Sequence, residues 1–168
     1  MYRKYLCSFI LLILAIPCFA EDRWKAKNEE ILRFKNMYAV DGVFLTPQDA
    51  TKPNIRGIVG DYQTWKINKE TNGVLFANGR LLVDVRGLVF PDAPNDEDHF
   101  RAAVSCLTDV NGVVGYQNVI SLPFPTGPKG NARINALLEL PSPCVAPIVM
   151  ILNGDPAEGD AWFAISGN

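Results

Sequence analysis

The sequence predicts an all-β fold of two packed antiparallel sheets, and three observations carry that expectation. The stretch Asn131–Leu140 alternates: Ala132, Ile134, Ala136, Leu138 and Leu140 fall on one side, Arg133, Asn135 and Glu139 on the other. A period of two describes a strand with one face buried and one wet. Ile148–Leu152 is instead an unbroken apolar run, as expected of a strand covered on both faces. From Val43 onward, Pro47, Pro53, Gly57, Gly60, Gly73, Gly79 and Gly87 punctuate the chain too closely for a long amphipathic helix.

The chain opens differently. Arg3 and Lys4 precede an apolar run from Leu6 to Ile16, then Pro17, Cys18, Phe19 and Ala20, before Glu21 and Asp22. A basic start, a short apolar core and a small residue before charged sequence predict a signal peptide over 1–20, cleaved after Ala20. The run is shorter than the about 20 apolar residues that span a membrane. A lipoprotein leader with Cys18 as the lipidated residue is the rival, disfavoured by Pro17 and Ala15 at the two preceding key positions. The expected location is therefore exported, periplasmic or secreted, with no transmembrane segment in the mature chain. Removing Arg3 and Lys4 leaves 14 basic against 18 acidic residues, a net charge of −4 with His neutral. That balance argues against nucleic acid as a partner and against an anionic membrane surface.

Residues 21–40 read as an N-terminal arm or short helix, because Ile31, Leu32, Phe34, Met37 and Tyr38 make no clean stripe. Residues 41–168 read as the sandwich domain. Thr64–Asn68 is a short strand with Trp65, and Gly73–Ala77 is the next. Asn78-Gly79 is a two-residue hairpin turn leading to a strand with Leu81, Val83 and Val85 inward. Gly87 reads as a bulge, since the apolar register moves to Leu88 and Phe90. After the loop P-D-A-P-N-D-E-D comes His99–Thr108, with Phe100, Ala102, Val104 and Cys106 on the core face. Asn111-Gly112 turns the chain into Val113–Val119. The proline-rich 121–130 cannot be helix or central strand. Beyond Ile148–Leu152 lie the loop N-G-D-P-A-E-G-D and a last strand, Ala161–Ser166. These seven or eight short strands suit an immunoglobulin-like sandwich better than a closed barrel.

Of four cysteines, Cys7 and Cys18 leave with the leader, so Cys106 and Cys144 have one possible pairing in an oxidising compartment. Cys144 sits in the elbow Pro141-Ser142-Pro143-Cys144, and the expected bridge is an inter-sheet staple. Closing a loop of roughly 40 residues stabilises by about 4 kcal/mol on the chain-entropy model. Two paired cysteines and one histidine cannot complete a zinc site.

Chemistry has few footholds. A Ser-His-Asp site would have to combine His99 with Ser105 or Ser121, and no G-x-S-x-G pattern singles out either serine. His99 beside Asp96, Glu97 and Asp98 reads first as a solvated loop residue. Asp92, Asp96 and Asp98 are candidate calcium ligands, with Asp155, Glu158 and Asp160 in a second acidic loop, but neither loop follows the twelve-residue calcium pattern. Turn acids in solvent are the plainer expectation, and no cofactor is expected. Trp65, Tyr62, Tyr116, Phe124 and Trp162 would stack on sugars if several shared one exposed face; core packing is the alternative.

The segments V-L-F-A-N-G-R-L, F-R-A-A-V-S-C-L, L-P-S-P-C-V-A-P-I-V and W-F-A-I-S-G, within Val74–Gly167, resemble a set of small exported, mainly bacterial proteins with no assigned activity. The resemblance implies an exported β domain with a paired bridge and transfers no catalytic residue. The expectation is a non-enzymatic binding or envelope-associated protein acting through end loops 91–98, 120–130 and 153–160. A carbohydrate-binding module and a hydrolase using His99 with acidic-loop carboxylates are the alternatives. A deep pocket beside His99 would favour the hydrolase, and a flat surface would favour binding.

Overall fold

The computed structural model describes residues 29–46, 55–93 and 95–167. The expected signal peptide and the first part of the expected arm lie outside these residues. In chain order the strands are β1 (Glu30–Phe34), β2 (Met37–Ala39), β3 (Val59–Gly60), β4 (Asn72–Phe76), β5 (Arg80–Val85) and β6 (His99–Val110). They continue as β7 (Val113–Ile120), β8 (Phe124–Pro125), β9 (Ala132–Leu137), β10 (Val145–Asn153) and β11 (Ala161–Ser166). Eight of these have five residues or more, in keeping with the seven or eight expected. The other three are two- or three-residue pairings too short to leave a periodic signal. Among the described residues no helix is long and apolar enough to cross a membrane.

The strands form two sheets, ordered β1-β4-β5-β9 and β2-β11-β10-β6-β7, with β3 beside β11 and β8 beside β6. Every pairing between strands is antiparallel except the short β3–β11 contact. Leu75, Leu81, Val83, Val85 and Ile134 of the smaller sheet belong to one buried cluster with Phe100, Ala102, Val104, Cys106, Val149 and Ile151 of the larger. Each large aliphatic side chain sealed there contributes about 1.5–3 kcal/mol of apolar burial. This is the all-β sandwich that the alternation predicts.

Several expectations need correction. The described part of the 21–40 segment is neither arm nor helix but β1 and β2, one in each sheet. Its pattern was unreadable because β1 carries a register shift between Glu30 and Leu32, so Ile31 and Leu32 interrupt the alternation. Thr64–Asn68 is not a strand: Lys66 alone bridges to Val89, while Trp65 drops into the core. The Asn78-Gly79 turn spans three residues, Ala77 to Gly79, between β4 and β5. Gly79 takes φ +85° there, and a Cβ would lie 1.8 Å from the Leu138 carbonyl oxygen. Gly87 follows the end of β5 rather than bulging it. Asn111-Gly112 is the expected tight turn, with positive φ at both residues and Val110 paired to Val113.

The bridge between Cys106 and Cys144 is present, Cα–Cα 4.9 Å. It is not a staple between facing strands of opposite sheets. Cys144 ends the elbow that carries the chain out of β9, and the next residue, Val145, pairs with Leu107 of β6. The bridge therefore clamps the crossover onto β6, beside which β10 then runs.

Candidate functional site

One cleft, of about 820 Å³, opens at the end of the sandwich away from that bridge. It is bordered by residues 61–65, by the acidic loop through His99, and by the loop 153–158. Its floor is aromatic. Trp65 stacks on Phe163 with centroids 4.1 Å apart and meets Phe90 at 4.2 Å with the rings tilted by 39°, and Phe100 meets both Trp65 and Phe163 edge-on.

Among the described residues six carboxylates line the cleft (Asp61, Asp96, Glu97, Asp98, Asp155 and Glu158) and no lysine or arginine does. Asp61 is the deepest, 7% exposed. Its backbone N–H donates to the Trp162 carbonyl (3.1 Å), directly after β3 pairs with β11. Its carboxylate accepts from the Tyr62 N–H (2.7 Å) and from Trp65 Nε1 (2.5 Å). Burial pushes the Asp61 carboxyl above its ordinary range; those donors oppose the shift and the Asp96 charge adds to it. Glu97 is raised too, first by burial and then by Glu158, Asp96 and Asp61, against a hydrogen bond from the Gly154 N–H. Four acids are thus close enough to feel one another.

The walls are built locally. Asn95 ties the acidic loop together: its Nδ2 donates to the Glu97 carbonyl (2.8 Å), and the Asp98 carbonyl accepts from the Thr126 N–H (2.9 Å). Arg101, 4% exposed, holds the opposite loop. Its Nε donates to the Asn153 carbonyl (2.9 Å) and its Nη2 to Asn153 Oδ1 (3.1 Å), while Nη1 lies 3.0 Å from Asp160 Oδ1. Gly154 lets this loop sit against β6, where a Cβ would meet the His99 carbonyl oxygen at 2.4 Å.

The expected site residues separate accordingly. His99, Asp96 and Asp98 line the cleft, whereas Asp92 lies in a shallower depression with Asp96 and Phe90. Among the described residues no three His, Cys, Asp or Glu side chains converge to hold a metal ion, so Asp92, Asp96 and Asp98 make no calcium set. Ser105 is sealed inside β6, about 20 Å along the strand from His99. The Ser121 hydroxyl accepts from the Ala102 N–H and donates to the Leu122 carbonyl. Neither serine lines the cleft. Cys106 and Cys144 are joined, so neither offers a thiol.

The aromatic platform is also absent. Trp65 and Trp162 are core residues, and Phe163 is buried beside Trp162. The sequence allows only one of that adjacent pair an interior position. Both are covered because Trp162 packs on Phe44, on the segment before β3, while Phe163 packs on Trp65. Tyr62 is half exposed at the cleft, while Tyr116 lies against the Gly57 turn. Asp61 and Arg101 carry no motif in the sequence, yet one supplies the deepest acid and the other anchors a wall. Compared with protein-family models, curated proteins and solved structures, the chain matches none of them.

Proposed function

We propose that this protein is an exported binding protein, periplasmic or secreted, whose end cleft receives a ligand bearing cationic or hydrogen-bond-donating groups. The observation that carries the reading is a concave site with six carboxylates and, among the described residues, no lining cation. Such a lining favours an ammonium or guanidinium group by charge. The leader-like first twenty residues and the paired cysteines support export. Functional loops gathered at one end of a two-sheet sandwich are the immunoglobulin-like trait that supports a binding role.

Calorimetric titration with spermidine, oligolysine and a neutral oligosaccharide tests it. The expected result is salt-sensitive binding of the cations, weakened at least tenfold by Glu97→Gln with Glu158→Gln, and no rise in Tm with millimolar calcium. Silence towards both cations, or binding of the neutral sugar alone, would overturn the proposal. A hydrolase is the second reading, favoured because His99 borders a cleft rather than a flat surface and shares it with the raised carboxyl of Glu97. Neither candidate serine reaches that cleft, which leaves binding as the first reading. Turnover of ester or glycoside substrates, abolished by Glu97→Gln, would select it.

A further inference from the structure

We propose that β7 is a self-pairing edge through which two copies of this chain join their larger sheets. β7 ends that sheet, and among the described residues nothing pairs its far side. The Ser121 N–H donates to the Ala102 carbonyl, and the hairpin closes at Val110–Val113. In an antiparallel ladder the bonded positions alternate. Val113, Gly115, Gln117 and Val119 therefore bond to β6, and Val114, Tyr116, Asn118 and Ile120 turn their N–H and C=O groups outward.

Natural edges are blunted by charge, proline, bulges or brevity, and the other edges here are. β1 carries the Glu30–Arg33 ion pair and a register shift, β9 carries Arg133, and β2 has three residues. β7 has none of these devices: V-V-G-Y-Q-N-V-I is uncharged and proline-free, and pairs with β6 over eight consecutive residues without a shift. Val113 and Val114 are 67% and 85% exposed. Tyr116 lies on the Gly57 turn, and Asn118 Nδ2 donates to the Arg56 carbonyl (2.9 Å), so that turn braces the strand on one face.

The strand's own sequence identifies the occupant. Full antiparallel overlap of the outward groups puts the twofold axis at Gln117. Tyr116 then faces Asn118, Val114 faces Ile120 and Gly115 faces Val119. Every outward backbone group finds a partner, Val114 is covered by Ile120, and no like charges meet. A charged peptide would find no complementary charge on this strand.

Sedimentation velocity over a concentration series, with amide hydrogen exchange, tests the proposal. The purified protein should form dimers. Amides of Val114, Tyr116, Asn118 and Ile120 should gain protection as concentration rises, whereas those of Val113, Gly115, Gln117 and Val119 stay protected throughout. Gln117→Lys sets two ammonium groups on residues about 4.5 Å apart at the axis and should raise the dimer dissociation constant at least tenfold, while its Tm matches the parent's in solutions dilute enough for both to be monomeric. A protein monomeric at every concentration, a dimer without the alternating protection, or a dimer indifferent to Gln117→Lys would each overturn it.

Discussion

β6 and β10 lie side by side and link two unlike ends of the molecule. At one end the Cys106–Cys144 bridge clamps the elbow before β10 to β6. At the other, the start of β6 and the end of β10 are joined through Arg101 and Asn153, beside a cleft lined with acids. The first end is held by a covalent bond, the second by a buried guanidinium and a set of hydrogen bonds. The bridge constrains the unfolded chain, so its removal weakens the whole fold. The Arg101 network orders one loop, so its loss falls first on the cleft.

Three measurements separate the two ends. Replacing both cysteines by alanine removes the clamp and is expected to cost about 4 kcal/mol, or roughly 10 °C in Tm. Calorimetry would show this, while the cleft residues keep their native chemical shifts at low temperature. Arg101→Met leaves the Asn153 acceptors buried without their donor and is expected to cost about 3 kcal/mol. Its larger signature should be faster amide exchange across residues 153–160, with the bridge region unchanged. Uniform exchange over both ends would break the comparison.

The smallest effect concerns Glu97, whose carboxyl is raised in the folded protein by burial and then by neighbouring acids. The folded state therefore holds that proton more tightly than the unfolded chain. Stability from this group is fully present below the ordinary Glu value and is lost as pH rises through the folded one. Glu97→Gln should remove that loss. Urea unfolding of the variant should depend less on pH above about 4.3 and should match or exceed the parent at neutral pH. A variant less stable than the parent at neutral pH and equal to it under acid would reverse the sign.

Much of the sandwich was legible because its strands differ between their faces. β5 and β9 alternate cleanly, and the apolar run in β10 announces a central strand. β1 was hidden by its own irregularity, where the shift at Glu30–Leu32 breaks the period. Trp65 and Trp162 were ambiguous because the sequence does not say that both faces of the C-terminal strand are covered. The acidic loops and His99 could be read as end loops, since proline, aspartate and asparagine mark turns. Their convergence could not. Asp61 has no local signal, since its place depends on β3 meeting β11. Arg101, set between Phe100 and Ala102, looks like any polar strand residue until Asn153 arrives beside it.

The two-residue parallel contact of Val59–Gly60 with Ala161–Trp162 moors Asp61 to a strand about a hundred positions later in the chain. A protease or a premature stop that trimmed the final eight residues would therefore take away more than a sheet strand. The pocket's innermost carboxylate would lose its anchorage and Trp65 its stacking partner, though every acid in the lining would still be encoded.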